Sequence, residues 1–250
     1  MPLFRRHFIA AAGASLYANS WARKKSFNAV YFQDFEPFSI GQDQQVSGLY
    51  IDILNEVLGN QMGIDVVHRG MPWTRALSMV RDGEADAFVT LVTPERQAYA
   101  IAGTSSVYDS PIYLYASPNH PQIALFRAAS QVADLQPYLL GTYVGNSLIK
   151  AVPANMKIVT TSTQAQAALM AVEQRVDLTI GNDLQTISIL KSINRPKGLV
   201  RLMRVTDKPL PNFLQIGTSS PWVSILPRVD KILAEMKKDG RMENIIDRYR

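Results

Sequence analysis

The chain contains no cysteine. That excludes disulfides, cysteine-held zinc and thiol catalysis, although it does not exclude an oxidising compartment. Histidine is nearly absent as well. His7, His68 and His120 are the full set, and their separation suggests neither a metal centre nor a catalytic triad. Charged residues make up only 19%, with 26 basic residues scattered among 21 acidic ones and no aromatic-interleaved basic stripe. No nucleic-acid partner is expected; a mild net charge of +5 suits small anionic or zwitterionic molecules better. The rest is ordinary for a globular protein: 47% apolar residues in 250 positions, enough for one large domain or two lobes.

Residues 1–22 read as an export signal. Arg5-Arg6-His7 is a basic start, Phe8 to Leu16 is an apolar run too short to span a bilayer, and Ser20-Trp21-Ala22 offers small residues for cleavage after Ala22. Arg5-Arg6-His7-Phe8-Ile9 also partly resembles a twin-arginine signal, so the general secretory and twin-arginine routes both remain open.

Beyond it, strands and helices alternate. Phe27–Phe32 is a β-rich first strand, and Ile64 to His68 a second. Between them Ser47 is expected to cap a helix with Leu49, Ile53, Leu54, Val57 and Leu58 on one face. Pro72 opens a helix with Trp73, Ala76, Leu77 and Val80 on one face, stopped by Gly83, and the strand Ala85 to Thr90 follows. This spacing predicts a parallel sheet covered by helices. Ile112 to Ala116 reads as the exit strand of a first lobe. A second α/β unit follows, with strands at Leu139 to Val144, Lys157 to Thr160 and Val176 to Ile180. The run from Asp82 to Asp86 is echoed weakly by Glu173 to Asp177, as if two lobes were built alike. The chain returns through Pro209 and Pro211 to the strand Phe213 to Thr218 and two closing helices around Gly240. The expected lobes are 23–115 plus 210–250, and 116–209, joined by two crossings that form a hinge. Paired sheets of this kind place a ligand cleft at their strand ends.

Thr93-Pro94-Glu95-Arg96 is the sharpest local signal. Thr93 can cap a short helix, Pro94 suits its first position and Glu95 suits the positive end of its dipole. Arg96 gains nothing from that dipole. It is either a solvated surface cation or a two-donor fork for a ligand carboxylate.

Taken in order, Glu36-Pro37-Phe38-Ser39, Gly48 to Leu54, Gly83 to Ala87, Thr93 to Arg96 and Asp239-Gly240 with Ile245 and Arg248-Tyr249 resemble the family 3 extracellular solute-binding proteins. These are the polar-amino-acid binders of ABC importers, and the resemblance covers residues 27 to 250. It implies an α/β, two-lobed periplasmic-binding-protein-like (type II) fold, with a hinge and a ligand cleft between the lobes. It gives Arg96 the ligand carboxylate, with Thr90 as the nearest substitute for a missing partner, because Leu91-Val92 stands where hydroxyl residues are usual. Phe35 and Trp73 would flank the ligand, and the Gly145-Asn146-Ser147 turn would donate hydrogen bonds at a helix N-terminus. At the position of the amine-binding acid stands Asn182, followed by Asp183. Asp183 is either the amine contact or only a helix cap, and an amine-free ligand is the alternative.

The expectation is a periplasmic, monomeric, non-enzymatic binder of a small polar or carboxylated molecule, with an ABC permease as partner and no cofactor or metal. A cyclohexadienyl-dehydratase-like enzyme is the rival, with Glu36 or Asp183 as acid or base. A receptor's sensor module is not expected, because no transmembrane segment occurs before Arg250.

Overall fold

The computed structural model describes residues 26–144 and 146–250. The expected export signal and Gly145 lie outside the described residues.

The first sheet grows around Phe27–Phe32, whose apolar residues alternate between two covered faces. This strand pairs in parallel with Val66–Met71, from Phe27↔Val66 to Phe32↔Met71, and meets Ala87–Thr90 at Ala29↔Ala87. Leu210–Gly217 then runs antiparallel between Ala87–Thr90 and Ala100–Ala102. Because strand side chains alternate, Ala29, Tyr31, Ala87 and Val89 share one core with Leu54, Leu58, Leu233 and Met236. Val30 and Phe88 face the other way, onto Ala76, Met79 and Val80 of the helix Trp73–Arg81.

The second sheet runs Ile158–Thr161, Leu140–Tyr143, Leu178–Asn182, Ile112–Ala116, Val200–Arg204. Its first three strands are parallel and the other two pair antiparallel. Ile112, Leu114, Leu140 and Ile180 pack on Phe126 and Leu135, while Tyr115 faces Ala168, Ala171 and Leu190.

The strand Ile112–Ala116 is a correction. Expected as the exit of the first lobe, it pairs with Leu178–Asn182 from Asn182↔Ile112 to Thr179↔Tyr115, deep in the second sheet. Its two apolar faces both need cover, and that sheet supplies it. The crossing therefore falls at Pro111, between Tyr108–Ser110 in the first sheet and Ile112 in the second. The return crossing, after Val200–Arg204, lies beside it, since Tyr108–Ser110 pairs antiparallel with Leu210–Asn212.

The short echo between the lobes has a physical basis. Asp86 Oδ2 accepts a hydrogen bond from Asn28 N at 2.8 Å, and Asp177 Oδ2 accepts one from Leu139 N at 2.7 Å. Each carboxylate fixes the entry of the neighbouring parallel strand. A second correction concerns Ser47, whose backbone pairs with Ile40 and which caps nothing. The helix Leu49–Leu54 starts from Gly48 and continues into π-helical turns over Asn55–Gln61. Gly48 has φ +132°, and a Cβ there would sit 2.6 Å from the Phe38 carbonyl oxygen, so only glycine fits.

Candidate functional site

The parallel strands of both mixed sheets end at the same place. Phe32 leads into the Asp34–Ser39 loop, Thr90 into Leu91, Tyr143 into Asn146, and Asn182 into the helix Asp183–Ser192. A cavity of ≈ 130 Å³ lies there between the lobes. Phe35, Phe38 and Leu91 form its first-lobe wall. Tyr143, Asn146, Leu148, Asn182 and Gln185 form the opposite wall, and the crossing strands close it with Ser110, Ile112, Leu210 and Asn212.

Local chemistry holds each wall in place. Phe35 stacks on Phe38 with ring centroids 4.8 Å apart. Asn182 is 5% exposed and caps its helix, with Oδ1 accepting from Gln185 N at 3.3 Å and its carbonyl accepting from Thr186 Oγ1 at 2.8 Å. Its Nδ2 is buried and makes no hydrogen bond of acceptable geometry. The Tyr108 phenol is its neighbour across the interface. Burial pushes that phenol up to about 12, and the Asn182 amide works against the rise. Asn146 Oδ1 accepts from Leu148 N at 3.0 Å while its Nδ2 donates to Thr142 Oγ1 at 2.8 Å. Asn212 Nδ2 donates to Ser110 Oγ at 3.1 Å and to Leu210 O at 3.2 Å.

The Thr93 turn forms as the sequence predicts: Thr93 Oγ1 accepts from Arg96 N at 3.3 Å and Pro94 takes the first position of the helix Pro94–Gln97. Arg96 itself turns back on its own loop. Its Nη1 donates to Leu91 O at 2.8 Å and its guanidinium lies 5.6 Å over the Trp73 ring, while Nε is buried without a partner. Gln215, fully buried on the return strand, donates to Thr90 O at 3.0 Å and to Leu91 O at 3.2 Å. Arg96 thus sets the backbone of a wall residue and makes no ion pair among the described residues.

Of the residues singled out from the sequence, Phe35, Asn146 and Asn182 line the cavity. Arg96, Trp73 and Thr90 adjoin it through Leu91, with Trp73 packed edge-on to Phe88 at 5.9 Å. Asp183 is turned away. Its Oδ1 accepts from the Tyr115 hydroxyl at 3.0 Å and its Oδ2 from Arg201 at 3.1 Å, with Arg201 itself stacked 4.7 Å over Tyr113. The Ser147 backbone begins the single turn Ser147–Ala151 that Asn146 caps. Glu36 accepts from Ser188 Oγ at 2.8 Å, a bond from the first lobe to the second. Leu184 joins the first-lobe core from the same second-lobe helix. Sequence reasoning missed Tyr143, Gln185, Ser110 and Asn212. Tyr143 was readable as the strand end before the Asn146 turn, and Ser110 and Asn212 as neighbours of the hinge prolines. Gln185 carries no signal of its own. Among the described residues no cluster of three metal-ligating side chains occurs, and no helix is long and apolar enough to cross a membrane.

The family description for bacterial extracellular solute-binding proteins, family 3, matches residues 28–250. The chain belongs to this family. No curated protein sequence matches it significantly. Among solved structures, an ancestral cationic amino acid solute-binding protein superposes with TM-score 0.71 at 19% identity, over 90% of this chain and 95% of its own. A histidine kinase sensor domain with similarity to periplasmic binding proteins gives 0.68 at 17%, over 91% and 97%. The substrate-binding protein of an amino acid ABC transporter gives 0.63 at 18%, over 90% and 99%. At these identities the likeness is one of fold. This family 3 member accordingly has the two-lobed α/β architecture of periplasmic binding proteins, and its family role is the binding of a solute.

Proposed function

We propose that this family 3 protein is exported, captures a small polar or carboxylated, amino-acid-like molecule by closure of its lobes, and delivers it as a monomer to the permease of an ABC importer. The observation that carries the reading is the cavity walled by strand ends of both sheets and closed by the two crossing strands. Every residue around it therefore changes its neighbours when the lobes separate, which couples binding to hinge motion. Residues 26–110 with 210–250 form one moving body and 111–209 the other. The family's extracellular setting supports export to the periplasm, and the leader would supply the address.

A dehydratase reading gains nothing from the geometry. Among the described residues Tyr143 is the only ionisable side chain on the cavity, Asp183 is committed to Tyr115 and Arg201, and Glu36 to Ser188.

A thermal-shift screen against amino acids, other carboxylates and polyamines tests the reading, because a solute that binds only the folded form raises its melting temperature. A hit must weaken when Phe35→Ala removes the aromatic wall. No hit, or a hit indifferent to that substitution, refutes it. Turnover of prephenate in the same plate would favour the enzyme, and N-terminal sequencing of secreted protein would reveal whether cleavage follows Ala22.

A further inference from the structure

We infer that the cavity selects a carboxylic acid that carries no ammonium group, such as a 2-hydroxy, 2-oxo or plain acid with a small apolar tail. The inference rests on the solute-capture reading and sharpens it to a ligand class.

The first argument is the charge on the walls. Among the described residues no side chain lining the cavity is a carboxylate. Four acids stand directly beside wall residues in sequence, and all are engaged: Asp34 accepts from Gln33 Nε2 at 3.2 Å and Asp109 pairs with Lys237 Nζ at 3.4 Å. Asp183 has one oxygen on the Tyr115 hydroxyl and the other on Arg201, and Glu36 holds Ser188. An ammonium group buried here would have no counter-charge, and a buried unpaired charge is strongly disfavoured.

The second argument is the direction of the amides. Asn182 and Asn146 both spend their oxygens on backbone N–H groups of their own helical turns, those of Gln185 and Leu148. Those bonds also settle which end of each amide is which, since only the oxygen can accept. What Asn182 leaves over is a buried donor, Nδ2, on the wall of the cavity, which meets its neighbour, the Tyr108 hydroxyl, only at poor hydrogen-bond geometry. A buried donor in this state gains most from a ligand oxygen and gains nothing from an ammonium. The neutral acceptors that remain are the side-chain oxygens of Asn212, Gln185, Ser110 and Tyr143, which can hydrogen-bond an ammonium but cannot neutralise it.

The third argument is Arg96. Its guanidinium has no acidic partner among the described residues, its Nε is buried and unpaired, and it is held to the Leu91 carbonyl directly behind the wall. This uncompensated cation favours a negative ligand group in the cavity and opposes a positive one. The tail would lie among Phe35, Ile112, Leu148 and Leu210.

The test is isothermal titration of the purified protein with matched pairs: L-leucine against 4-methylpentanoate, and L-phenylalanine against 3-phenylpropanoate. The amine-free acid is expected to bind at least tenfold more tightly in the pair the cavity accepts, and its methyl ester to bind more weakly than the acid. Asn182→Asp keeps a good helix cap and supplies the missing carboxylate. It should move the acid-to-amino-acid ratio at least tenfold toward the amino acid, with the melting temperature reporting that the fold is kept. An amino acid that matches or beats its amine-free partner in the wild-type protein overturns the inference and leaves solute capture standing. A hit confined to uncharged solutes does the same. No binding of any solute across the wider screen would bring down solute capture itself, and the inference with it.

Discussion

Removing the Ser188 hydroxyl should loosen the closed form without touching the fold of either lobe. Ser188 sits on the second-lobe helix Asp183–Ser192, and its Oγ donates to Glu36 Oε1 at 2.8 Å, on the loop that also carries Phe35. Among the described residues neither side chain makes another hydrogen bond, and because this one runs from lobe to lobe it exists only while the lobes touch. A hydrogen bond to a charged acceptor contributes roughly 1.5–3 kcal/mol when buried. Both residues are half-buried, and water competes for the carboxylate once the lobes part, so about 1 kcal/mol is the reasonable figure. That changes the closed-to-open ratio about fivefold. If the free protein is mostly open, the apparent dissociation constant of Ser188→Ala rises by the same factor, and by less if closure already dominates. Where closure dominates in the free protein, small-angle scattering should show a larger radius of gyration, and where the open form dominates, titration with the solute found by thermal screening should show the weaker binding. Glu36→Ala should do the same, and the double mutant should be no worse than either single one. Unchanged scattering together with unchanged affinity would refute the view that this bond helps to hold the lobes closed.

Arg96→Ala should weaken binding of a carboxylate by roughly 2–5 kcal/mol, through the lost cation and the released Leu91 carbonyl, and titration calorimetry would read it. An uncharged solute should lose far less. His68 is held neutral: burial lowers its pKa to about 4, against a weaker opposing effect of Asp52, and the Tyr31 hydroxyl bonds Nδ1 at 2.8 Å. Its folded pKa is below the unfolded one of about 6.5, so the unfolded chain binds the proton first. The stabilisation is complete above about pH 6.5 and is lost as pH falls toward 4, about 2 kcal/mol after allowing for the partly exposed ring. Melting temperatures of wild type and His68→Gln across that window should converge at the acid end. Gly48→Ala should cost about 2–3 kcal/mol in urea denaturation, because the left-handed backbone is strained for alanine and its Cβ would collide with the Phe38 carbonyl.

Local rules were readable wherever the chain solves its own problem nearby. The strand Phe27–Phe32, the cap of Thr93 and the left-handed stop at Gly240 with φ +86° all stand where residue types alone place them. Failures occur where a distant partner decides. Ser47 looks like a cap, yet Gly48 must approach Phe38, and that contact hands the helix start to glycine. The strand Ile112–Ala116 shows both faces apolar but not which sheet will cover them. The same division holds at the cavity. Phe35, Asn146 and Asn182 reach it because each closes a strand or opens a turn at the parallel-strand ends. The commitment of Asp183 to Tyr115 and Arg201, residues 68 and 18 positions away, leaves no local trace.

Leu91 explains why the Thr93 turn matters even though Arg96 does not itself line the cavity. One carbonyl, that of Leu91, accepts from Arg96 Nη1 at 2.8 Å and from Gln215 Nε2 at 3.2 Å. The first donor belongs to the short capped helix and the second to the strand returning from the hinge. Both donors and the carbonyl belong to the first lobe, so the clamp travels with that wall when the hinge rotates. A ligand carboxylate that drew Arg96 toward the cavity would free half of that clamp, and Gln215 would have to carry the loop alone. The orphaned Nε of Arg96 and the orphaned Oε1 of Gln215 are consistent with such an exchange, since each side chain keeps one buried group in reserve. Gln215→Leu should then weaken ligand binding together with loop order. Backbone hydrogen exchange at Leu91 and Val92 separates this from a simple loss of stability: it should quicken there first, and equal quickening throughout the first sheet would contradict the clamp.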